Sequence, residues 1–306
     1  KLRDEDEKEG DIDFAFVEEG VGRFRANLHR QRGLMSLTLR HVKDDVPSVE
    51  DLNLPSTILR VAEYRSGIVF VTGATGSGKS TTMACMLQHM NSSTKRHIVT
   101  VEDPIEYTFK DEGCIIEQRE VGLDCSSFKS ALRHVLRQDP DVIVIGEMRD
   151  METFETALGA AETGHLVRTT LHTRTASQSI ERILDLYPHE ERESVRLSLA
   201  ENLKSIICQR LAPKATGSGV VPVNEILVNT PVVGKLMHDN KLDKLNQAIE
   251  GGTDDGMVSF NACLLELVNN GLITEETALA TSDNAEALQM NLRGIFLSAD
   301  GGIING

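Results

Sequence analysis

Residues 67–81 read GIVFVTGATGSGKST, and this stretch decides the fold class. An apolar run over 67–73 predicts a buried strand, and the residues that follow predict a helix over 79–90. Between them, residues 73–80 fit the pattern G-x-x-x-x-G-K-[ST], whose glycines let backbone N–H groups turn toward a phosphate chain. The start of the helix adds a partial positive charge, the lysine can reach the β and γ phosphates, and the serine can ligate Mg²⁺. The residues predicted to hold nucleotide phosphates are Gly73, Ala74, Thr75, Gly76, Ser77, Gly78, Lys79, Ser80 and Thr81.

Strands and helices alternate regularly around this loop. Further strands are predicted over 97–103, 114–121, 141–147 and 165–172, and further helices over 56–64, 126–138, 151–163 and 175–186. Strands that are apolar throughout and alternate with helices indicate a parallel sheet covered on both faces. From about residue 190 onward the pattern is mostly helical, with one strand over 220–228, and residues 298–306 look like a flexible tail.

The opening of the chain has a different character. Residues 1–13 are strongly charged and predict a solvated end. Short alternating apolar patches after them, punctuated by glycine, predict two or three strands. Between Gly20 and Lys43 there is no Asp or Glu. The six basic side chains of this segment form either a solvated basic face or a cluster aimed at an anion, and they are Arg23, Arg25, Arg30, Arg32, Arg40 and Lys43.

The amino-acid composition excludes some classes of function. The 306 residues include 32 Lys and Arg against 47 Asp and Glu, which gives a formal net charge of −15. A chain this acidic is a poor candidate for bulk nucleic-acid binding, which needs a basic surface to replace counterions, so we expect no nucleic-acid partner. No stretch approaches the roughly 18–20 apolar residues of a membrane span. The five cysteines form no CxxC pair, which argues against a disulfide framework and indicates a reducing, cytoplasmic compartment.

Carboxylates end two of the predicted parallel strands. The strand over 97–103 ends in Glu102 and Asp103, and the strand over 141–147 ends in Glu147. Ligands of open parallel sheets bind outside the carboxyl ends of the strands. These carboxylates are therefore candidates for positioning the water and the cation that ATP hydrolysis needs.

Two histidines bracket the strand over 165–172. Side chains alternate along a strand, so His165 and His172, seven positions apart, face opposite sides and cannot both line one pocket unless one lies beyond the strand end. A GTPase would read guanine through an Asn-Lys-x-Asp motif. Residues 240–243 have this spelling, but they lie in a helically periodic segment with no buried strand before it, and we regard the match as a coincidence.

Four motifs together resemble the secretion and type IV pilus motor ATPases, specifically the retraction (PilT/PilU) type, over about residues 14–292. GATGSGKST (73–81) resembles the family's Walker A box, and TVEDPIEY (100–107) resembles its acidic Asp box. LRQDPDVIVIGEMRD (136–150) resembles its Walker B box, and AAETGHLVRTTLHT (160–173) resembles its His box. The segment GRFRANLHRQRG (22–33) is similar to the end of the family's PAS-like N-terminal domain, whose arginines reach the nucleotide.

The resemblance implies a role for each matched residue. Glu102 would be the general base, and Glu147 would position Mg²⁺ or water, so that Ser80 and Glu147 form the metal site. His165 and His172 would line the nucleotide site and sense its state, although spacing alone leaves that open. The arginine fingers would be Arg23 and Arg25. ATP and Mg²⁺ are the implied cofactors.

The implied fold is α/β, a RecA-like P-loop NTPase core with a truncated PAS-like α+β N-terminal domain and a helical C-terminal subdomain. We place the partial PAS-like domain at residues 1–45, a linker at 46–55, the RecA-like core at 56–230, and the helical subdomain and tail at 231–306. Family members act as homohexameric rings at the cytoplasmic side of the inner membrane. The expected partners are further copies of this chain, the inner-membrane pilus platform protein and a paralogous motor ATPase.

The sequence leaves three functions possible. The first is an ATP-hydrolysing ring motor that retracts type IV pili by depolymerising pilin and thereby drives twitching motility. The second is a pilus assembly or type II secretion motor, many of which carry a tetracysteine zinc module; the lack of a CxxC pair favours retraction. The third is a low-turnover, nucleotide-binding accessory subunit of the PilU kind.

Overall fold

A computed structural model describes residues 11–43, 45–297 and 303–305. The predicted solvated end therefore lies largely outside the described residues, as do residues 298–302 and 306 of the predicted tail. Residues 303–305 are an exception to that tail prediction, because they form a short strand that pairs antiparallel with Ile295–Leu297.

A seven-stranded sheet forms the centre of the molecule. Its strands are β4 (Gly67–Thr72), β5 (His97–Glu102), β6 (Ile115–Glu120), β7 (Val142–Ile145), β8 (Leu166–Leu171), β9 (Leu203–Pro213) and β10 (Val220–Val228), where β1 to β3 belong to the separate sheet described below. The spatial order is β10-β9-β4-β8-β7-β5-β6. All neighbours pair parallel except β10, which pairs antiparallel with β9 at one edge.

Burial explains why these segments are strands. Every residue of β4, β7 and β8 is buried, so both faces of the sheet centre are covered. Continuous apolar runs are what a parallel sheet with helices on both faces requires. The predicted α/β class with a parallel sheet is confirmed, and the strand order places the strand before the phosphate loop near the middle of the sheet.

Helices connect the strands of the central sheet and make up most of the chain from there to Leu292. Those within the core are α1 (Thr57–Ala62), α2 (Lys79–Ser93), α3 (Phe128–Val135), α4 (Met151–Glu162), α5 (Ala176–Leu184) and α6 (Arg192–Asn202). Those that follow are α7 (Pro231–His238), α8 (Leu245–Gly251), α9 (Phe260–Asn269), α10 (Glu275–Thr281) and α11 (Ala285–Leu292), with 3₁₀ turns at Leu242–Lys244 and Thr253–Asp255. Within the residues that the structure describes, none of the helices combines the length and the apolar character that crossing a membrane requires.

Strand β9 corrects the prediction of a mostly helical region with one strand after about residue 190. It pairs parallel with β4 on one side and antiparallel with β10 on the other. Polar residues obscure its apolar run: Ser205 and Gln209 are both buried, and the Ser205 hydroxyl donates a 2.7 Å hydrogen bond to the Leu227 carbonyl. Pairing with two neighbours, which the local sequence does not reveal, decides its conformation.

The N-terminal segment forms a separate three-stranded antiparallel sheet. Its strands are β1 (Ile12–Glu18), β2 (Gly22–Gln31) and β3 (Leu34–His41), in that spatial order. Arg32 and Gly33 both have positive φ, which fits a two-residue hairpin turn between β2 and β3. The prediction of two or three strands is therefore confirmed, and the five arginines of the acid-free segment lie on this sheet and its turn, while Lys43 follows β3.

A fully buried arginine lies in the middle of the core. Arg168 on β8 has no exposed surface, and its guanidinium donates to the Ala62 carbonyl at the end of α1. Among the residues that the structure describes, its Nε and Nη1 have no hydrogen-bond partner. Burial lowers the pKa of Arg168 to about 9, so the side chain is still charged at neutral pH. A buried charge without a counterion is costly, and we expect it to reduce the stability of the fold.

Replacing Arg168 with methionine should therefore raise the free energy of unfolding, by about 1–4 kcal/mol. Urea unfolding followed by circular dichroism would measure the change. The matched control is Arg192→Met, because the Arg192 guanidinium is partly exposed and donates to the Tyr187 carbonyl. That change should leave stability equal or lower. A less stable Arg168→Met protein would mean that the bond to Ala62 outweighs the cost of burying the charge.

Candidate nucleotide-binding site

The phosphate loop joins β4 to α2 and has the conformation that its glycines allow. Gly73, Gly76 and Gly78 all have positive φ, and α2 begins at Lys79, directly after the loop. The Lys79 ammonium is nearly buried and donates to the carbonyl oxygens of Gly73 at 2.8 Å and Ala74 at 3.0 Å. The loop thus places the N-terminus of a 15-residue helix and a lysine at the carboxyl end of a central strand.

The cavity beside this loop gathers most of the predicted site residues. It has a volume of about 530 Å³ and opens between α2, the loop after β5 and the carboxyl ends of β7 and β8. Its walls also include apolar side chains such as Leu87, Phe109 and Phe128. The predicted residues that line it are Thr75, Gly76, Gly78, Lys79, Ser80, Thr81, Glu102, Glu147 and His172.

Glu102 ends strand β5 at the wall of the cavity. Its Oε1 accepts a 2.6 Å hydrogen bond from the Thr100 hydroxyl and a 3.3 Å hydrogen bond from Nε2 of Gln118. Burial raises the pKa of Glu102, and the bonds from Thr100 and Gln118 partly offset that rise. A carboxylate that is held in place and has a raised pKa is suited to accept a proton from water. Gln118 also donates to the Tyr107 carbonyl and is a supporting residue that the sequence analysis missed.

Glu147 follows β7 and faces the phosphate loop. Its Oε2 lies 3.5 Å from Nε2 of His172, and its Oε1 forms an ion pair with Arg149. Burial lowers the pKa of Lys79, while the negative charges of Glu147 and Glu106 oppose that change. Ser80 at the start of α2 lines the same cavity. A hydroxyl and a carboxylate oxygen that face one cavity are the hard oxygen donors that Mg²⁺ prefers, so the predicted pair of ligands fits the ion.

Gln209 on β9 supports the phosphate loop from behind, and the sequence analysis missed it. Its Nε2 donates to the Ser77 carbonyl at 2.7 Å, and its Oε1 accepts from the Thr82 hydroxyl at 2.7 Å. The loop packs closely here, because a Cβ on Gly78 would lie 2.8 Å from the Gln209 amide nitrogen. The sequence gives one indication that Gln209 has a special role, which is its amide side chain inside a strand of otherwise largely apolar residues.

The structure does not bring His165 to this cavity. His165 precedes the six-residue strand β8, whose other end leads to His172, so about 20 Å separates the two. Its Nδ1 lies 3.0 Å from the Ala160 carbonyl and 3.2 Å from the Thr163 hydroxyl, which places it at the C-terminal end of α4. Of the two histidines that bracket β8, His172 lines the cavity.

The two predicted arginine fingers are also outside the cavity lining. Arg23 forms a 3.1 Å ion pair with Glu120, at the end of β6. Arg25 lies opposite Arg40 in the pairing of β2 with β3. Among the residues described, no carboxylate lies within ion-pair distance of Arg25 or Arg40. The six cations of the acid-free segment therefore do not share one environment.

A central parallel sheet, a phosphate loop after one of its middle strands, and carboxylates at the ends of neighbouring strands define a P-loop nucleoside triphosphatase with a RecA-like core. The family model described as "Type II/IV secretion system protein" matches residues 44–280. This match covers well over half of the chain, and the chain belongs to that family.

Relatives of known name match over nearly the whole chain. The type IV pilus ATPase PilU of Pseudomonas aeruginosa is 41% identical over 92% of this chain and 74% of its own length. The type IV pilus retractation ATPase PilT of the same organism is 44% identical over 91% of this chain and 80% of its own length. Among solved structures, the pilus retraction motor PilT with bound ADP is 45% identical, covers 94% of this chain and 82% of its own, and has a TM-score of 0.87.

Proposed function

We propose that this chain is an ATP-hydrolysing motor that powers retraction of a type IV pilus. The observation that carries the proposal is one cavity that combines the phosphate loop, Glu102, Glu147 and His172. Similarity to retraction ATPases over about nine-tenths of the chain supports it. The reaction is the hydrolysis of ATP to ADP and phosphate.

The residues of the chain divide the work of hydrolysis. Backbone N–H groups of the phosphate loop and the Lys79 ammonium bind the phosphates and offset the charge that develops on them. Glu102 orients the attacking water and accepts its proton. Ser80 and Glu147 would hold Mg²⁺, which supplies positive charge to the phosphate oxygens when bound. His172 lies beside Glu147, where the γ-phosphate would alter its surroundings, and this position supports a role in sensing the nucleotide state.

Further parts of the proposal concern the assembled motor. We propose a homohexameric ring on the cytoplasmic face of the inner membrane, docked on the pilus platform protein and able to work beside a paralogous motor ATPase. Arg25, without a carboxylate partner among the described residues, stays a candidate arginine finger for a phosphate in such a ring. His165 remains a candidate sensor of the nucleotide state only if assembly of the ring creates a contact between it and the nucleotide site.

A second candidate function is a low-turnover accessory subunit. The specific observation that favours it is the similarity to PilU, which is 41% identical over 92% of this chain. Both functions require nucleotide binding, so binding alone does not separate them. An assembly or secretion motor is less supported, because the proteins named for retraction match across nearly all of the chain.

A turnover assay and an imaging experiment test the proposal together. Purified protein should hydrolyse ATP in a Mg²⁺-dependent way and should form rings with six-fold or two-fold symmetry in negative-stain images with ATP. A host bacterium that lacks this chain should keep its surface pili and lose twitching motility. Normal ATP binding with near-zero turnover would instead indicate the accessory function, and loss of surface pili in the deletion strain would indicate an assembly motor.

A further inference from the structure

Residues 103–107, which follow Glu102 at the start of the connection to β6, form a loop in the cavity wall. The loop is tied to the Glu102 carboxylate through Gln118, whose Nε2 donates to Oε1 of Glu102 at 3.3 Å and to the Tyr107 carbonyl at 2.8 Å. At its far end the Tyr107 hydroxyl lies 3.0 Å from Oγ1 of Thr81, on the first turn of α2. An element that fixes this loop therefore also helps to hold Gln118, one of the two side-chain donors to the Glu102 carboxylate.

Glu120 anchors the middle of that loop. It is the residue directly opposite Glu102 in the pairing of β5 with β6, so both side chains lie on the same face of the sheet. Its Oε2 accepts a 3.2 Å hydrogen bond from the backbone N–H of Ile105. The Glu120 carboxylate is nearly buried, and burying a carboxylate is costly unless it is paired and hydrogen-bonded.

The cation comes from the N-terminal sheet. Nη2 of Arg23, on β2, lies 3.1 Å from Oε2 of Glu120, the same oxygen that accepts from Ile105. Arg23 is largely covered, whereas its neighbours Arg30, Arg32 and Arg40 are exposed. A hydrogen-bonded ion pair with this degree of burial is stronger than one on an open surface.

A second attachment lies close to the first. Lys43, which follows β3, donates its backbone N–H to the Glu106 carbonyl at 3.3 Å and accepts from the Thr108 N–H at 3.0 Å. The Lys43 ammonium lies 5.8 Å from the centre of the Tyr107 ring. The N-terminal sheet thus holds the loop after Glu102 through a side chain and through the backbone.

From these contacts we infer that Arg23 is a positioning residue, which acts through Glu120 and Ile105 to hold the loop of Glu102 in its active position. The inference rests on the proposed ATPase function. In this inference Arg23 does not act as an arginine finger but connects the N-terminal sheet to the central sheet. When the N-terminal sheet moves away from β6, Glu120 loses its cation and the loop loses an anchor. Orientation of the N-terminal sheet would then control hydrolysis without any contact between Arg23 and the nucleotide.

The inference is tested by steady-state ATPase kinetics and by titration with a fluorescent nucleotide. The variants are Arg23→Gln, Arg23→Lys, Glu120→Ala and the double variant Arg23→Gln/Glu120→Ala. We expect Arg23→Gln to lower kcat about tenfold, because small misplacements of catalytic groups are costly, while nucleotide affinity changes less than about twofold. Arg23→Lys should recover most of kcat, since an ammonium can also pair with Glu120. The double variant should be no slower than Glu120→Ala alone, because the two residues act as one unit.

An arginine finger gives a different pattern. It would act on the phosphate directly, so Arg23→Gln would lower kcat by the same factor in the wild-type and Glu120→Ala proteins, and lysine would not restore turnover. Either result, or an unchanged kcat in Arg23→Gln, would overturn the inference. Arg40→Gln, which removes an exposed cation from the same sheet, is the control and should turn over ATP like the parent.

Two design points keep the outcome interpretable. If Glu120→Ala does not fold, the comparison of Arg23→Gln with Arg23→Lys still decides, since a finger requires the guanidinium and a positioning cation does not. The proposed function is judged separately, on turnover by the parent protein. An active parent with an unaffected Arg23→Gln protein rejects the inference alone, whereas an inactive parent rejects the proposed function.

Discussion

Lys79→Ala should reduce ATP turnover by at least about 100-fold, a loss near 3 kcal/mol of transition-state stabilisation. The Lys79 ammonium is the side-chain cation of the phosphate loop; it donates to two loop carbonyls, and in the proposed complex it would reach the β and γ phosphates. The change should not prevent folding, because Lys79 is outside the apolar core. A coupled-enzyme ATPase assay with a thermal unfolding curve would measure both quantities.

The matched control for that change is Lys95→Ala. Lys95 is an exposed lysine just beyond the other end of α2, so its loss alters the net charge equally without touching the loop. The control should keep parental turnover. Retention of full activity in Lys79→Ala would mean that the phosphate loop does not bind the reacting nucleotide, and it would reject the assignment of the site.

Glu102→Gln should slow hydrolysis by about 10²–10⁴-fold and preserve nucleotide binding. The amide has nearly the shape of the carboxylate and can still accept from Thr100, yet it cannot take a proton from water. Single-turnover hydrolysis and nucleotide titration on the same preparation would separate the chemical step from binding. Glu147→Gln is the informative partner, because its loss should slow hydrolysis and also weaken the dependence on Mg²⁺.

The pH dependence gives an independent check on Glu102. Burial raises the pKa of Glu102, and only its ionised form can act as a base. Activity should therefore be present above the raised pKa and fall as the pH drops through it, at a higher pH than for an ordinary glutamate. Glu102→Gln should remove this acidic limb from its residual rate. Normal hydrolysis by Glu102→Gln together with an inactive Glu147→Gln would mean that the two roles are reversed.

Much of the fold could be predicted because its strands are locally distinctive. β4 and β7 are apolar at nearly every position, and a run of that kind separates clearly from the helices on either side. β9 could not be predicted in the same way, since buried Ser205 and Gln209 interrupt its apolar run. Hydrogen bonds across the sheet satisfy these polar residues, and those partners are distant in the chain.

The residues of the candidate site also divide into those that could be predicted from the sequence and those that could not. Glu102 and Glu147 could be predicted, because parallel strands that share one sheet bring their carboxyl ends to the same edge. Gln118 and Gln209 could not, since each contributes only through a partner whose position depends on the whole fold. The histidines were left open by spacing, and the length of β8 places one of them at the cavity and the other at the far edge of the sheet.

The sequence by itself determined the phosphate loop, the parallel sheet and the carboxylates at its strand ends, because a glycine pattern and apolar periodicity act over a few consecutive residues. Only the tertiary structure decided which charges of the basic opening segment have a partner. Its charges look alike in the sequence, yet folding brings Arg23 to Glu120, 97 positions away, and leaves Arg40 exposed. Coulomb attraction and burial depend on distance in space, and that distance exists only once the N-terminal sheet and the central sheet have come together.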